Sequence, residues 1–362
     1  MKIFIVCNSL GKGGAERVGV NLANGFSKHG HDVCIITDTT QDVAYSIDSK
    51  IEILSYSNPL KNKIVKYLST IWNIRKYAKK NKPDVVIGMM HLASFLPLMA
   101  LLGLHIPVVL TIHHALSSVG NIYSLKTRII DRITPFLYSH TTVLTKIDYD
   151  ILYKYSHKIS IMPNPLSFDP VKNIPTKEKV ILAAGRIDAW NYKGFDILMQ
   201  AWNKISSLYP DWTLIIAGQG REQSIDFLKS YLTSVDAKRQ TQFIGYSKNM
   251  ITQYKRSSIF VLSSRSEGLP MVLIEAMSQG CAPLATANMG RTAEIITTDS
   301  EGLICKSEDV NDLANKLSML ISDDKKRIDI LKEAVLRSKY YSQDNIIRKW
   351  EKLLFDLLKK NK

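Results

Sequence analysis

The sequence predicts an α/β protein built as two domains, each a parallel sheet layered with helices. Three observations carry this. Its 362 residues exceed what one hydrophobic core usually fills, and a hydrophobic content of 45% is enough for two. Short β-branched runs alternate with helical patterns through both halves, the order that gives parallel sheets covered by helices. Between the halves, Ile161-Met162-Pro163-Asn164-Pro165 and the stretch 170–179 supply prolines and polar residues where a linker would sit. A boundary near residues 164–178 divides the chain into 1–165, 166–340 and a last helix, 341–362.

Taken in order, the strands fall at 2–7, 32–37, 84–88, 107–112 and 141–144 in the first half. In the second they fall at 180–184, 212–217, 242–245, 259–262 and 282–285. The opening run Ile3 to Cys7 is shorter than the roughly 7 to 15 apolar residues of a signal peptide, so it reads as the first strand. The longest apolar stretch, 92–104, falls short of the roughly 18 residues that suggest a spanning helix and reads as a core helix. Residues 323–362 read as two amphipathic helices parted around Tyr340-Tyr341-Ser342. Ile346, Ile347, Trp350, Leu353, Leu354 and Leu357 fall on one stripe there. The stripe must be buried, but its pattern does not say against which domain.

Composition narrows the class of protein. The cysteines Cys7, Cys34, Cys281 and Cys305 lie far apart, with no C-x-x-C pair, which predicts buried, reduced thiols and a cytosolic compartment. Forty-eight basic against 33 acidic residues give a formal net charge of +15, which favours an acidic partner: lipid, nucleic acid or phosphorylated small molecules. The excess is shared almost evenly by the two halves, so neither is a basic module by itself.

Three loops have the makings of a binding site. Strand one runs into Asn8-Ser9-Leu10-Gly11-Lys12-Gly13-Gly14-Ala15-Glu16-Arg17 and then a helix, where glycines allow close backbone approach and a helix start offers unpaired N–H groups to an anion. It is not the dinucleotide fingerprint, because Glu16 stands where the third glycine would be. The strand 180–184 is followed by Gly185-Arg186 and, before the next helix, by Lys193-Gly194; a guanidinium fork and an ammonium could converge there on a diphosphate. After the strand 259–262, Ser266-Glu267-Gly268-Leu269-Pro270 enters a helix. Glu267 then sits at the helix entrance and Glu275 well inside it, two carboxylates able to take hydrogen bonds from sugar and ribose hydroxyls.

These residues resemble glycosyltransferase family 4, retaining enzymes of the GT-B fold, over nearly the whole chain. The likeness lies in Gly13-Gly14-Ala15-Glu16-Arg17, in Gly30-His31-Asp32-Val33, in Gly185-Arg186 with Lys193-Gly194, in Ala217-Gly218-Gln219-Gly220, and in the E-x7-E pair Glu267 and Glu275. The resemblance implies two Rossmann-like domains whose parallel sheets face a central cleft, with the last helix packing back toward the first domain. It also implies a nucleotide diphosphate sugar as substrate, with Arg186 and Lys193 on the diphosphate and Glu275 on the ribose. Glu267 would meet the sugar or its phosphate, and His113 would face the sugar. Gly245 and Tyr246 would lie near the base, while Gly13, Gly14, Gly268, Leu269 and Pro270 would line the donor site. No cofactor and no essential metal are implied, fixed cations and helix starts taking the metal's place. Asp148-Tyr149-Asp150 spells D-x-D but falls in a helix, so no metal role is assigned. His91 and His114 stay without a role.

Between residues 61 and 82 stand Lys61, Lys63, Lys66, Arg75, Lys76, Lys79, Lys80 and Lys82, with no acidic residue. Leu60, Ile64, Tyr67, Leu68, Ile71, Trp72 and Ala78 recur among them at roughly helical spacing. Such a helix suits an anionic membrane surface, with Trp72, Lys76, Lys79, Lys80 and Lys82 as its contacts, and equally suits packing on its own sheet. The expected partners are a nucleotide-sugar donor, a lipid-linked or glycan acceptor and the inner face of a bacterial plasma membrane, with the protein peripheral to it. A nucleic-acid partner is not expected, since the basic run lacks a binding module. Two alternatives share the fold: a nucleotide-sugar 2-epimerase and a non-catalytic transferase-like subunit.

Overall fold

The computed structural model describes residues 1–11, 13–40, 43–56, 62–116 and 125–360. They form two compact units, one of residues 1–116, 125–167 and 343–360, the other of 168–342. Lys12, Leu60 and Lys61, named above, lie outside the described residues.

The first unit holds a seven-stranded parallel sheet of β1 (Lys2–Val6), β2 (Asp32–Thr37), β3 (Glu52–Ser55), β4 (Val85–Met89), β5 (Val108–Thr111), β6 (His140–Val143) and β7 (Ile159–Ile161). Their order is β3-β2-β1-β4-β5-β6-β7. The central strands are apolar but for Lys2 and Thr111 and are buried almost throughout, as a parallel sheet covered by helices requires. One face packs on the helix Gly14–Lys28 and on the terminal helix Gln343–Lys360, whose Ile346, Ile347, Trp350 and Leu354 join Val18, Leu22 and Phe26 in one core. Each such side chain contributes about 1.5–3 kcal/mol by leaving water. Gly25 permits the approach: a Cβ there would stand 2.6 Å from Ile347 Cδ1. Glu351 ties the same helix to His31 at 2.8 Å and His29 at 3.2 Å.

The second unit holds a six-stranded parallel sheet of β8 (Glu178–Ala184), β9 (Thr213–Ala217), β10 (Thr241–Gly245), β11 (Ser257–Leu262), β12 (Ala282–Thr286) and β13 (Leu303–Cys305), in the order β10-β9-β8-β11-β12-β13. Its core is built around Trp202, fully buried on the helix Phe195–Ile205. In each sheet the chain reverses its direction of travel once, between β1 and β4 and between β8 and β11. At such a switch point the strand ends open a crevice that binds ligands.

Several sequence expectations change. Ten strands were read and thirteen are present among the described residues; β3, β7 and β13 are the additions, four, three and three residues long. Two sit at edges of the first sheet and one at an edge of the second, where half-exposed or very short runs give no alternation to read. The helix Lys63–Asn81 buries only part of the stripe read for it, Ala78 in the core with Ile71 packed against it. Ile74 and Ala78 face the sheet, whereas Ile64, Leu68 and Trp72 are 70%, 61% and 61% exposed. All four cysteines are buried free thiols. The stretch 92–104 contributes to a core helix, Met90–Ala100, and among the described residues no helix is long and apolar enough to cross a membrane.

Candidate functional site

In the second unit the site grows from the switch point. β8 ends at Ala184 and the chain turns through Gly185 and Arg186 into the short helix Trp190–Lys193. Gly194 follows with φ of 63°, a left-handed conformation that glycine adopts without strain. A Cβ on Gly194 would lie 1.9 Å from the Ser263 carbonyl oxygen, so glycine also sets how closely the loops after β8 and β11 approach. They are stitched together by Ser263 Oγ donating to the Lys193 carbonyl at 3.0 Å and by the Arg265 N–H donating to the Tyr192 carbonyl at 3.0 Å. Arg265 grips Asp196 with two bonds of 2.8 Å, a bidentate pair that anchors the second loop and occupies this cation structurally.

Within this frame Lys193 Nζ donates to Glu267 Oε1 at 2.7 Å, and Ser264 Oγ donates to the same oxygen at 2.7 Å. The Glu267 N–H is held by Asn288 Oδ1 at 3.0 Å. Glu267 Oε2 has no partner among the described residues. Lys193 reaches its place by laying its stem over Gly185, where a Cβ would meet Lys193 Cδ and Cε at 3.3 Å. Arg186 differs: its side chain is exposed and makes no ion pair or hydrogen bond among the described residues. A half-buried ammonium, a carboxylate with one open oxygen and an unengaged guanidinium thus share one strand-end region.

Glu275 lies in the helix Met271–Ser278 at 1% exposure, and its Oε2 accepts from the Tyr254 hydroxyl at 3.1 Å. It is an interior group, not a rim group. Gly268, Leu269 and Pro270 form the turn that opens this helix, with Pro270 as its cap and Leu269 8% exposed. Gly245 closes β10 with φ of 65°, its carbonyl accepting from the Gly218 N–H at 2.8 Å, and Tyr246 beyond it is 54% exposed.

In the first unit, Gly13 caps the helix Gly14–Lys28 and exchanges two hydrogen bonds with the Tyr45 hydroxyl, at 3.1 Å to its N–H and 2.9 Å from its carbonyl. Gly14 opens that helix, and a Cβ there would meet nothing within 4 Å. His113 follows β5, with Nε2 2.8 Å from Thr111 Oγ1. Burial pushes its pKa down to about 4, so the ring is neutral near pH 7 and serves as a hydrogen-bonding group rather than a charge. A cavity of about 370 Å³ lined by Asn8, Asp38, Tyr56 and Lys66, among others, lies by the ends of β1 and β2. Asp148 and Asp150 do not form a metal pair. Asp148 is buried against Thr145 and the Leu116 N–H, while Asp150 pairs with Lys146.

Sequence reasoning missed Ser264, Asn288 and Tyr254, the residues that hold the two glutamates, and Asp131, which lies between His91 and His114. Asp131 alone carried a signal: it is the one acid among basic and apolar residues from 125 to 137. On the helix Lys63–Asn81, Trp72, Lys76, Lys79 and Lys80 are exposed, as is Lys82 just beyond it, and Lys76 Nζ sits 5.3 Å from the Trp72 ring centre.

Comparison with known proteins bears on both units. Residues 12–169 match the family described as Glycosyltransferase Family 4, and residues 167–336 match Glycosyl transferases group 1. An uncharacterized glycosyltransferase of Haemophilus influenzae is 29% identical over 360 residues, 97% of this chain and 99% of that protein. The Campylobacter jejuni GalNAc-alpha-(1->4)-GalNAc-alpha-(1->3)-diNAcBac-PP-undecaprenol alpha-1,4-N-acetyl-D-galactosaminyltransferase is 25% identical, with 99% of each chain covered. Among solved structures, Anabaena Alr3699/HepE in complex with UDP and glucose superposes with a TM-score of 0.79 at 17% identity, covering 98% of this chain and 100% of that one. At that identity the likeness concerns the fold.

Proposed function

Because the chain belongs to glycosyltransferase family 4, with the paired α/β domains of GT-B enzymes, we propose that it transfers a hexose or N-acetylhexosamine from a UDP-sugar to a lipid-linked or polysaccharide acceptor, with retention of configuration. One observation carries the reading: Arg186, exposed and unpaired among the described residues, beside the Lys193–Glu267 pair at the switch point of the second sheet. Arg186 and Lys193 neutralise the departing diphosphate, Glu267 Oε2 takes a sugar hydroxyl, and Glu275 with Gly245 and Tyr246 holds the nucleoside. Positive groups placed in advance stabilise the charge that develops as the glycosidic bond breaks, without a catalytic metal. Names of relatives support the acceptor class, since the Campylobacter jejuni enzyme acts on an undecaprenyl diphosphate glycan. UDP as donor is supported by the nucleotide bound to the Anabaena protein.

A lipid-linked acceptor places the work at the inner membrane face. The helix Lys63–Asn81 suits that surface, because Ile64, Leu68 and Trp72 project outward beside Lys76, Lys79 and Lys80. The deciding experiment incubates the protein with UDP-sugars and undecaprenyl diphosphate glycans and identifies product by mass spectrometry. Extension of the glycan by one sugar supports the reading; conversion of UDP-N-acetylglucosamine to its 2-epimer without acceptor replaces it. Charge reversal at Lys76, Lys79, Lys80 and Lys82 should release the protein from anionic vesicles, and unchanged pelleting would remove the membrane part.

A further inference from the structure

The connections from β3 to β4, β4 to β5 and β5 to β6 all advance in one direction across the first sheet, so right-handed crossovers set the three connecting helices on one face. Each turns an apolar stripe outward. On the helix Lys63–Asn81 the stripe is Ile64, Leu68 and Trp72. On the helix Met90–Ala100, Ala93, Leu96 and Ala100 enter the core, while Phe95, Met99 and, just past its end, Leu102 are 44%, 39% and 58% exposed. On the helix Leu125–Ile133 and the turn Thr134–Leu137 after it, Ile129, Ile133 and Phe136 are 46%, 57% and 56% exposed. The other face differs: its helices Gly14–Lys28 and Gln343–Lys360 leave one large apolar side chain exposed, Phe355.

Polar contacts tie these helices to one another. Arg75 Nη1, on the first, donates to the carbonyls of Ala100 at 2.7 Å and Leu102 at 2.9 Å, at the end of the second. His91 Nε2, at the start of the second, lies 2.5 Å from Asp131 Oδ1 on the third. Charge then indicates what the face meets. Residues 61–130 contain ten basic residues and one acid, Asp84, and 85–125 contain no Asp, Glu, Lys or Arg. Asp84 accepts from the Lys2 N–H at 2.7 Å. Exposed apolar side chains beside Lys76, Lys79, Lys80 and Lys82, with almost no acid among them, suit the headgroup layer of an anionic bilayer. A second copy of the chain would instead bring one positive surface against another.

We propose that the outward apolar side chains of all three helices insert together into an anionic bilayer. This rests on the reading of the chain as peripheral to a membrane and extends it from one helix to three. The lysines of the first helix draw the protein to the surface, and Phe95, Leu102, Ile133 and Phe136 hold it there by burial. Attraction between charges is screened by salt and burial is not, so the two contributions can be separated. Three lines of insertion also define a plane, which keeps the first unit at one tilt instead of letting it roll about a single helix.

Two measurements test it on the full chain with vesicles of phosphatidylglycerol and phosphatidylcholine in equal parts. The native thiols are all buried, so a cysteine introduced as Leu102→Cys, Phe136→Cys or, on the other face, Lys352→Cys takes a nitrobenzoxadiazole label alone. Emission at Leu102 and Phe136 should shift to the blue and be quenched by nitroxide lipid, and emission at Lys352 should not change. In vesicle pelleting, the exposed pairs Phe95→Ser with Leu102→Ser and Ile133→Ser with Phe136→Ser should each weaken binding about tenfold or more. Wild type should keep part of its binding at about 1 M salt, and the serine variants should lose that part. A label that stays in water at Leu102 or Phe136, or serine variants that pellet like wild type, overturns the proposal. The membrane reading then stands on Lys63–Asn81 alone if charge reversal of its lysines still releases the protein. A wild type that ignores anionic vesicles sinks both. Light scattering that shows a dimer, split by the serine variants, gives the face to a second copy and overturns the proposal as well.

Discussion

Lys193 Nζ and Glu267 Oε1 are 2.7 Å apart, so the cation and the carboxylate assigned to two parts of one donor neutralise each other. Arg186 beside them has no such partner among the described residues. Under the proposed reading, a bound donor would draw Lys193 toward phosphate while Glu267 keeps its bond from Ser264. Lys193→Ala should weaken UDP binding about 10- to 100-fold, the range for losing a hydrogen bond to a charged group. Glu267→Gln should leave UDP affinity within about threefold but lower transfer about 10²- to 10³-fold, as loss of one group aimed at the transition state does. Calorimetric titration with UDP and steady-state rates separate the two, and equal effects of both variants on UDP affinity would show that they hold the nucleotide as one unit.

Gly14 allows folding and function to be told apart. It opens the helix Gly14–Lys28 without a left-handed φ, and a Cβ there meets nothing within 4 Å, so the fold does not require glycine. Alanine restricts the unfolded chain and suits a helix, so Gly14→Ala should raise stability by about 0.5 kcal/mol. If phosphate or sugar approaches this backbone, the added methyl group should weaken donor binding at least tenfold. A variant with a higher melting temperature and unchanged KM for the donor would place the donor elsewhere.

The fold was legible in the sequence because central strands such as Phe4 to Val6 and Leu182 to Ala184 are apolar runs bounded by turns, and burial on both faces demands that pattern. Edge strands were not, since Glu52–Ser55 and Leu303–Cys305 are too short to show a period. For the proposed site, Gly185-Arg186 drew notice because it follows directly on an apolar run, and Glu267 because it opens a helix five residues after another. Their supports could not be found this way: Asn288 lies 21 residues from Glu267 and Tyr254 lies 21 from Glu275, and only tertiary packing joins them. The helix Lys63–Asn81 misled for a related reason, as its two apolar faces, Ile74 with Ala78 and Ile64 with Leu68, cannot be ranked without knowing where the sheet lies.

Glu275 needs a conservative test, because it is both an interior group and the assigned ribose ligand. Glu275→Ala would remove the acceptor of the Tyr254 hydroxyl in the core and so disturb the fold, and lost activity would not identify a ligand. Glu275→Gln keeps the shape and an acceptor oxygen for Tyr254. It should retain a melting temperature within a few degrees while UDP affinity falls about tenfold or more. Tyr254→Phe should destabilise the fold through the same bond without a comparable loss of affinity. UDP binding unaffected by Glu275→Gln, measured by calorimetry on the folded variant, would free Glu275 of the ribose role.

The pH dependence of stability should be set in part by His140. Burial pushes its pKa down to about 4 from an ordinary value of 6.5, and its Nε2 lies 2.9 Å from Ser160 Oγ. Above pH 6.5 neither the folded nor the unfolded chain carries this proton, so the full stability is present. As pH falls toward 4 the unfolded chain takes up the proton and the folded one does not, so stability declines, by at most about 3 kcal/mol once pH has passed below the folded value. His113 adds a decline of the same sign, its pKa also being about 4. His140→Gln removes one of the two while sparing the residues assigned to binding and transfer. Urea unfolding at pH 7.5 and pH 5 should therefore show a wild type that loses more stability than the variant, by up to about 2 kcal/mol. Parallel losses in the two proteins would mean that His140 ionises as freely folded as unfolded.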